Sequence, residues 1–379
     1  MTDFPSKRPQ ILFLFSDTGG GHRSATEAII EALQIEFDDQ VTTQMVDIFH
    51  DIAPRPLSYA PKWYPYFVRI PEVWGFSYRI SNGTRRARLI VESAYPYLRR
   101  SLHKVIKQYP SDMIVSLHPL ANDPFLHALG KPHPPFITVV TDLVTTHALW
   151  YHKGVDLCLV PTEAAYQRAL LSGLKAEQVI VTGLPVADRF CQPIGNKKAL
   201  RQQLGWPQER PVVLLVGGGE GMGPLEKTAV AITEANLPIT LVIIAGRNAE
   251  LKERLEARQW PMMILIYGFV HRMPDFMRAA DILVTKAGPS TITEALNAGL
   301  PMIIYSRLPG QEDGNVDYVI SEGVGVWAPK TSYIVSALQA WITHPKQLEL
   351  AGVECRQAAR PEAAREIARI LVNRLGIHN

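Results

Sequence analysis

Nine short apolar runs, four to seven residues long and separated by stretches of helical spacing, set what this chain can become. They are Ile11 to Phe15, Met113 to Leu117, Phe136 to Val140, Leu157 to Val160, Val212 to Val216, Ile239 to Ala245, Met262 to Tyr267, Ile282 to Thr285 and Met302 to Tyr305. Runs this uniformly apolar suit strands buried on both faces, and strands that alternate with helices build a parallel sheet covered on both sides. The chain therefore reads as α/β. Pro, Gly and polar residues cluster between Gly183 and Pro211, and a fresh strand followed by Gly217 to Gly223 then restarts the pattern. With 379 residues, 47% of them hydrophobic, the expectation is two Rossmann-like doubly wound domains facing across a cleft, residues 1–190 and 191–360.

The stretch TKAGPSTITEALNAGLPMIIYSRLPGQEDGN, Thr285 to Asn315, carries three chemical devices in succession. Gly288 to Thr291 is a small-residue loop opening a helix, and a helix N-terminus offers unpaired N–H groups and partial positive charge to a diphosphate. Glu294 falls one turn further on, where a carboxylate accepts two hydrogen bonds from a ribose cis-diol. Gly310 to Asn315 gathers amides and carboxylates, the groups that read sugar hydroxyls. Together they read as a sugar-nucleotide site. Phe269 and Val270, after another strand, are placed to hold a uracil edge, with the Phe269 ring against the base.

Near the start, SDTGGGHR follows the first strand and precedes a helical pattern through Ala25, Ile29, Ala32 and Leu33. His22 sits beside that helix N-terminus, whose field opposes protonation, and a neutral imidazole is what a general base needs. Asp142, at the C-terminal end of the run Phe136 to Val140, is the second catalytic candidate, orienting His22 or an acceptor hydroxyl. His147 and His152 are five apart, which does not put them on one helix face, so they and Trp150 read as acceptor-site or structural residues. No Asp-x-Asp pair occurs, so no metal and no cofactor is expected, and N–H groups and helix dipoles are expected to stabilise a diphosphate. Neither glycine loop is a dinucleotide fingerprint and no P-loop is present, although Asp47 leaves an off-pattern nicotinamide enzyme open.

Charge is uneven. From His50 to Pro110 eleven Lys/Arg face three acids, so this segment alone is +8 in a chain of net charge +3. The same segment holds Tyr59, Trp63, Tyr64, Tyr66, Phe67, Trp74, Phe76 and Tyr78, with Pro54, Pro56, Pro61, Pro65 and Pro71 among and before them. Aromatic rings beside cations suit a bilayer interface and anionic lipid. Nucleic acid is excluded as a partner: no recognition helix or RNP-like strand appears. The three cysteines lie far apart with no C-x-x-C pairing, and neither a signal peptide nor an apolar run long enough to span a bilayer is found, which reads as a peripheral protein on the cytoplasmic side of a membrane.

The pieces SDTGGGHRSATEAI, TDL, HKGVDLCLVPTE, GLPV, LLVGGGEGMGP, TKAGPSTITEALNAGLP and GQEDGNVDYV make the chain similar, over nearly its whole length, to the monogalactosyldiacylglycerol synthases, GT-B glycosyltransferases of the MurG-like kind. The resemblance implies the GT-B fold, a lipid acceptor on the N-terminal domain, a UDP-sugar on the C-terminal one and residues 361–379 as a helix packing back toward the first domain. It implies transfer of galactose from UDP-galactose to 1,2-diacylglycerol with inversion, His22 acting as base. UDP-glucose is the alternative donor, and a non-catalytic membrane-surface sugar-nucleotide binder the alternative role. Gly21, Gly218, Gly219, Glu220, Gly221, Lys286, Gly288, Ser290 and Thr291 would bind the donor, with Gly217 to Gly223 and Gly288 to Thr291 on the diphosphate side, Glu294 on the ribose, and Gln311, Glu312 and Asn315 on the hexose. Trp63, Tyr64, Tyr66, Phe67, Trp74, Arg85, Arg86, His147 and Trp150 would meet acceptor or membrane. SDTGGGH is closer to the galactosyl branch than to the diacylglycerol glucosyltransferases, and the lack of the plant members' targeting extension points to a bacterial enzyme.

Overall fold

The computed structural model describes residues 8–18, 20–55, 57–59, 71–221 and 223–377, with only the backbone of residues 57, 71 and 84–91. Among the described residues, twelve strands form two six-stranded sheets, and every pairing is parallel. The chain divides into two compact units: one of residues 1–188, 309–311 and 362–379, the other of residues 189–308 and 312–361.

The first sheet contains β1 (Gln10–Phe15), β2 (Thr42–Asp47), β3 (Met113–Ser116), β4 (Phe136–Val139), β5 (Leu157–Val160) and β6 (Val179–Val181), in the order β2-β1-β3-β4-β5-β6. Helix Gly21–Phe37 covers one face through Ala25, Ala28, Ile29, Ala32 and Leu33. Helix Ala363–Arg374 joins the same core with Ile367, Leu371 and Val372, all without exposed surface, each such side chain worth roughly 1.5–3 kcal/mol of burial. Its polar edge is fastened by ion pairs from Arg369 to Glu36 and from Arg365 to Asp188.

The second sheet contains β7 (Val212–Val216), β8 (Thr240–Ile244), β9 (Ile264–Tyr267), β10 (Ile282–Lys286), β11 (Met302–Ser306) and β12 (Gly325–Trp327), in the order β12-β11-β10-β7-β8-β9. Its core gathers Val213, Leu215, Ile243, Val284 and Ile303 from the strands with Leu225, Ala229, Ile232 and Leu338 from the helices. In each sheet the order of strands reverses once, between β1 and β3 and between β7 and β10. Strand C-terminal ends diverge at such a point, leaving a crevice where open α/β sheets bind ligands. The glycine-bearing loops of the sequence therefore acquire an address: residues 16–18, 20 and 117–118 at the first reversal, residues 217–221, 223 and 287–288 at the second.

Candidate active site

At the first reversal, Gly20 caps helix Gly21–Phe37 with φ +79°, a left-handed conformation that a side chain would strain. The loop before it is held by Asp47, which accepts hydrogen bonds from the backbone N–H groups of Asp17 (3.0 Å), Phe49 (2.8 Å) and His50 (3.0 Å). Asp47 is thus occupied in bracing the turn. His22, second residue of the helix, has its Nδ1 2.7 Å from Oγ1 of Thr141, which follows β4. His118 stands edge-on to the His22 ring with centroids 4.7 Å apart, and the Trp150 ring lies at 6.0 Å.

Burial among these rings drives the His22 imidazole down to about 4, against a smaller opposing effect from a hydrogen bond with the Leu117 backbone. Desolvation, where the helix field was the expected cause, keeps the ring neutral. His118 is also held well below its ordinary range, by burial and by the charge His22 would carry. Its Nδ1 accepts from Leu120 N–H at 3.2 Å, capping helix Pro119–Leu129 and leaving the proton on Nε2. Two imidazoles that stay uncharged at physiological pH therefore share the crevice. His118 was not singled out from sequence, although its place directly after the run Met113 to Leu117 matches that of the His22 loop after β1.

Asp142, buried next to Thr141, accepts from Trp150 Nε1 at 2.7 Å and from Gln311 Nε2 at 3.2 Å. Trp150 corrects an expectation: with 0% of its surface exposed it touches neither acceptor nor membrane and serves as the anchor of Asp142. Asn122 steadies it by donating to the Trp150 carbonyl at 2.9 Å. His147 is similarly inward, with Nε2 3.1 Å from the Ser81 hydroxyl and Nδ1 accepting from Leu149 N–H, and burial together with the Arg168 charge lowers it to about 4.

Trp63, Tyr64, Tyr66 and Phe67 lie outside the described residues, and Arg85 and Arg86 sit in helix Thr84–Gln108, whose backbone alone is described there. Trp74 belongs to helix Pro71–Ser81. That helix is seated by Tyr78, whose hydroxyl donates to the Thr145 carbonyl, and by Gly75 against Pro309. On the opposite side Val73, Phe76 (68% exposed) and Ile80 form an apolar stripe at i, i+3, i+7 spacing.

At the second reversal, helix Pro289–Asn297 begins at Gly288 with no side-chain cap on the N–H groups of its first turn. Lys286 closes β10 and pairs with Glu312 at 3.3 Å. In the loop after β7, Gly221 N–H is spent on Gly218 carbonyl, and a Cβ on Gly221 would collide with the Ala245 carbonyl at 2.1 Å. Gly221 is therefore required by backbone packing, whereas Gly218 and Gly219 line the loop beside Lys286 and Arg247. Glu220 pairs with Arg247 at 2.8 Å, and Arg247 in turn lies over Phe269, 4.5 Å from its centroid. Phe269, after β9, is 45% exposed although Arg247 covers one face of its ring, with Val270 beside it.

Glu294 keeps some accessible surface, yet its carboxyl is surrounded closely enough for burial to push it up to about 8 despite the charge of Arg189. Of the three residues read as one hexose cluster, Glu312 and Asn315 stay together at the end of β10 and Gln311 turns elsewhere. Asn315 is not in a loop but in helix Asp313–Ser321, buried and donating to the Ala287 carbonyl at 2.9 Å; Glu312 turns to Lys286; Gln311 falls with the first unit at Asp142.

A family profile described as "Monogalactosyldiacylglycerol (MGDG) synthase" matches residues 22–186, and one described as "Glycosyltransferase family 28 C-terminal domain" matches residues 212–360. Probable monogalactosyldiacylglycerol synthase 2, chloroplastic, of Oryza sativa subsp. indica is 37% identical over 95% of this chain and 79% of its own length. The chain belongs to the monogalactosyldiacylglycerol synthase family. Monogalactosyldiacylglycerol synthase 1, chloroplastic, of Arabidopsis thaliana is 36% identical over 96% of this chain and 70% of its own length. Among solved structures, MurG of Acinetobacter baumannii has a TM-score of 0.62 at 15% identity, covering 96% of this chain and 99% of its own. UDP-GlcNAc 2-epimerase of Neisseria meningitidis, bound to UDP-GlcNAc, has a TM-score of 0.60 at 15% identity, covering 96% and 100%. This member of the synthase family thus has the GT-B fold expected from its sequence and is a glycosyltransferase. Among the described residues no helix is long and apolar enough to cross a membrane.

Proposed function

We propose that this glycosyltransferase moves galactose from UDP-galactose to the free hydroxyl of 1,2-diacylglycerol, with inversion, working as a peripheral enzyme at a membrane surface that contains anionic lipid. The observation that carries the reading is the neutral His22 at the first strand reversal, its Nδ1 fixed by Thr141. With Nδ1 donating to Thr141, Nε2 would take the acceptor proton as the hydroxyl oxygen attacks the anomeric carbon from the face opposite UDP. One displacement inverts the anomeric centre, giving a β-galactoside from an α-linked donor. Charge then develops on the departing diphosphate, where preorganised donors act most strongly. The uncapped helix start at Gly288 and the loop of Gly218 and Gly219 supply such donors, Glu294 takes the ribose diol, and Phe269 stacks on the base.

The stripe of Val73, Phe76 and Ile80 suits shallow insertion among acyl chains, and the surplus of Lys/Arg between His50 and Pro110 suits the anionic headgroups around it. No metal or cofactor enters this mechanism. The test is incubation of purified protein with diacylglycerol in mixed anionic liposomes, UDP-galactose and UDP-glucose in parallel, with the glycolipid identified by mass and sugar composition. Galactolipid from UDP-galactose alone is the expected outcome; glucolipid from UDP-glucose would reassign the donor, and absence of product with either would refute the transfer.

A further inference from the structure

Lys286 and Glu312 form an ion pair at the second strand reversal, and the surroundings show which partner is fixed. Glu312 is 3% exposed; Oε2 accepts from Leu308 N–H at 2.8 Å and Oε1 meets Lys286 Nζ at 3.3 Å. Its carboxylate is therefore tied to the backbone of the loop after β11. Lys286 is the looser partner, with about a fifth of its side chain open to solvent at 21%. The pairing of β10 with β11 slips between Thr285 and Lys286, an irregularity of the kind that re-aims a side chain at the end of a strand. The Lys286 stem consequently runs between the two glycine loops: its ammonium lies 3.1 Å from where a Cβ on Gly288 would be, and its Cε 3.4 Å from one on Gly218.

A pair this enclosed is weak evidence for stability, because desolvation of two charges offsets their attraction. Its position suggests another use. A diphosphate lying along Gly218 and the Gly288 helix start would come within reach of the same ammonium, whose four-carbon stem and rotatable donors allow it to turn between acceptors.

We propose that Glu312 competes with the donor's diphosphate for Lys286: the carboxylate holds the ammonium between the glycine loops, and binding of a sugar nucleotide transfers that ammonium to the diphosphate. This rests on the sugar-nucleotide reading above and deepens it. It gives Glu312 a positioning role in place of a hexose contact and makes Lys286 the positive charge that faces the leaving group.

Calorimetric titration of the full chain with UDP, uridine and UDP-galactose tests it, with thermal melts showing that each variant is folded. Glu312→Gln keeps an oxygen for Leu308 N–H and removes only the competing charge, so UDP should bind roughly three- to tenfold tighter. Lys286→Gln should weaken UDP roughly ten- to a hundredfold. In the double variant the Glu312 substitution should have no further effect, and uridine, which lacks the diphosphate, should bind all four proteins alike. If UDP binds wild type and Glu312→Gln equally, while UDP-galactose loses affinity in the variant, Glu312 reads the hexose and the inference fails alone. If UDP does not bind the wild-type chain, the sugar-nucleotide reading fails and the inference with it.

Discussion

The two strand reversals are built on one plan and furnished differently. Each places a helix with a glycine N-cap directly after a strand, Gly20 after β1 and Gly288 after β10. The first surrounds its helix start with neutral groups, His22, His118, Thr141 and the buried Trp150. The second sets a lysine beside its helix start and balances it with a buried glutamate. A group that must take up a proton is best kept uncharged until it reacts, and burial among rings achieves that. A group that must meet a diphosphate has to be charged beforehand, so burial is tolerable there only with a counter-ion. On the proposed reading, one architecture thus serves a base in one unit and an anion site in the other.

His22→Ala breaks the first half of that contrast most severely. Turnover should fall roughly 10²- to 10⁴-fold while UDP affinity is unchanged; unchanged turnover would make Asp142 the next candidate for the base. Glu294→Ala acts on the second half only, weakening UDP roughly ten- to a hundredfold through lost bonds to the ribose diol. Thr141→Val removes the oxygen at Nδ1 of His22 without altering bulk, and kcat should drop about fivefold. A drop in donor affinity instead would assign Thr141 to the other substrate. Phe269→Ala should cost uridine about 1 kcal/mol of stacking, read by the same titration.

The pH dependences sharpen the comparison because they run in opposite directions. His22 titrates near 4, so the acid limb of kcat/KM should lie well below the 6.5 of an ordinary histidine. The native state binds fewer protons there than the unfolded chain does, so His22 contributes a loss of stability as pH falls through that window. Glu294 is raised to about 8, so the native state holds a proton that the unfolded chain has shed, and its contribution weakens stability as pH rises from 4.5 through 8. Bonds from a ribose diol favour the ionised form, so UDP binding near pH 7 should release a proton, detectable as a buffer-dependent heat of binding.

Nine strands were legible as mainly apolar runs: eight lie inside a sheet, whose two-sided burial demands such a composition, and the ninth, Ile264–Tyr267, is apolar although it lies at an edge. The three strands that the sequence does not announce, Thr42–Asp47, Val179–Val181 and Gly325–Trp327, all lie at sheet edges. Edges are half solvated, so TTQMVD carries polar residues and the other two are three residues long. At the site, the glycines made His22 visible, because a left-handed turn before a helix has a local signature. His118 has none: its role comes from a neighbour 96 positions away that only sheet pairing brings near. Glu312 and Asn315 look like loop residues in GQEDGN, yet the helix begins at Asp313, and both side chains face inward. Local composition shows which groups are available; which way a helix start turns them depends on packing.

Helix Ala363–Arg374 has a consequence for biogenesis. The core around β1 includes Ile367, Leu371 and Val372, and Arg365 and Arg369 clasp Asp188 and Glu36. A ribosome adding roughly 5–20 residues per second finishes the first 188 residues well before it reaches that helix. The unit made first therefore waits with an uncovered apolar face while the whole second unit is synthesised. Sealing of the nascent chain runs against the order of translation: the later unit can close first, and the segment that follows it completes the earlier one.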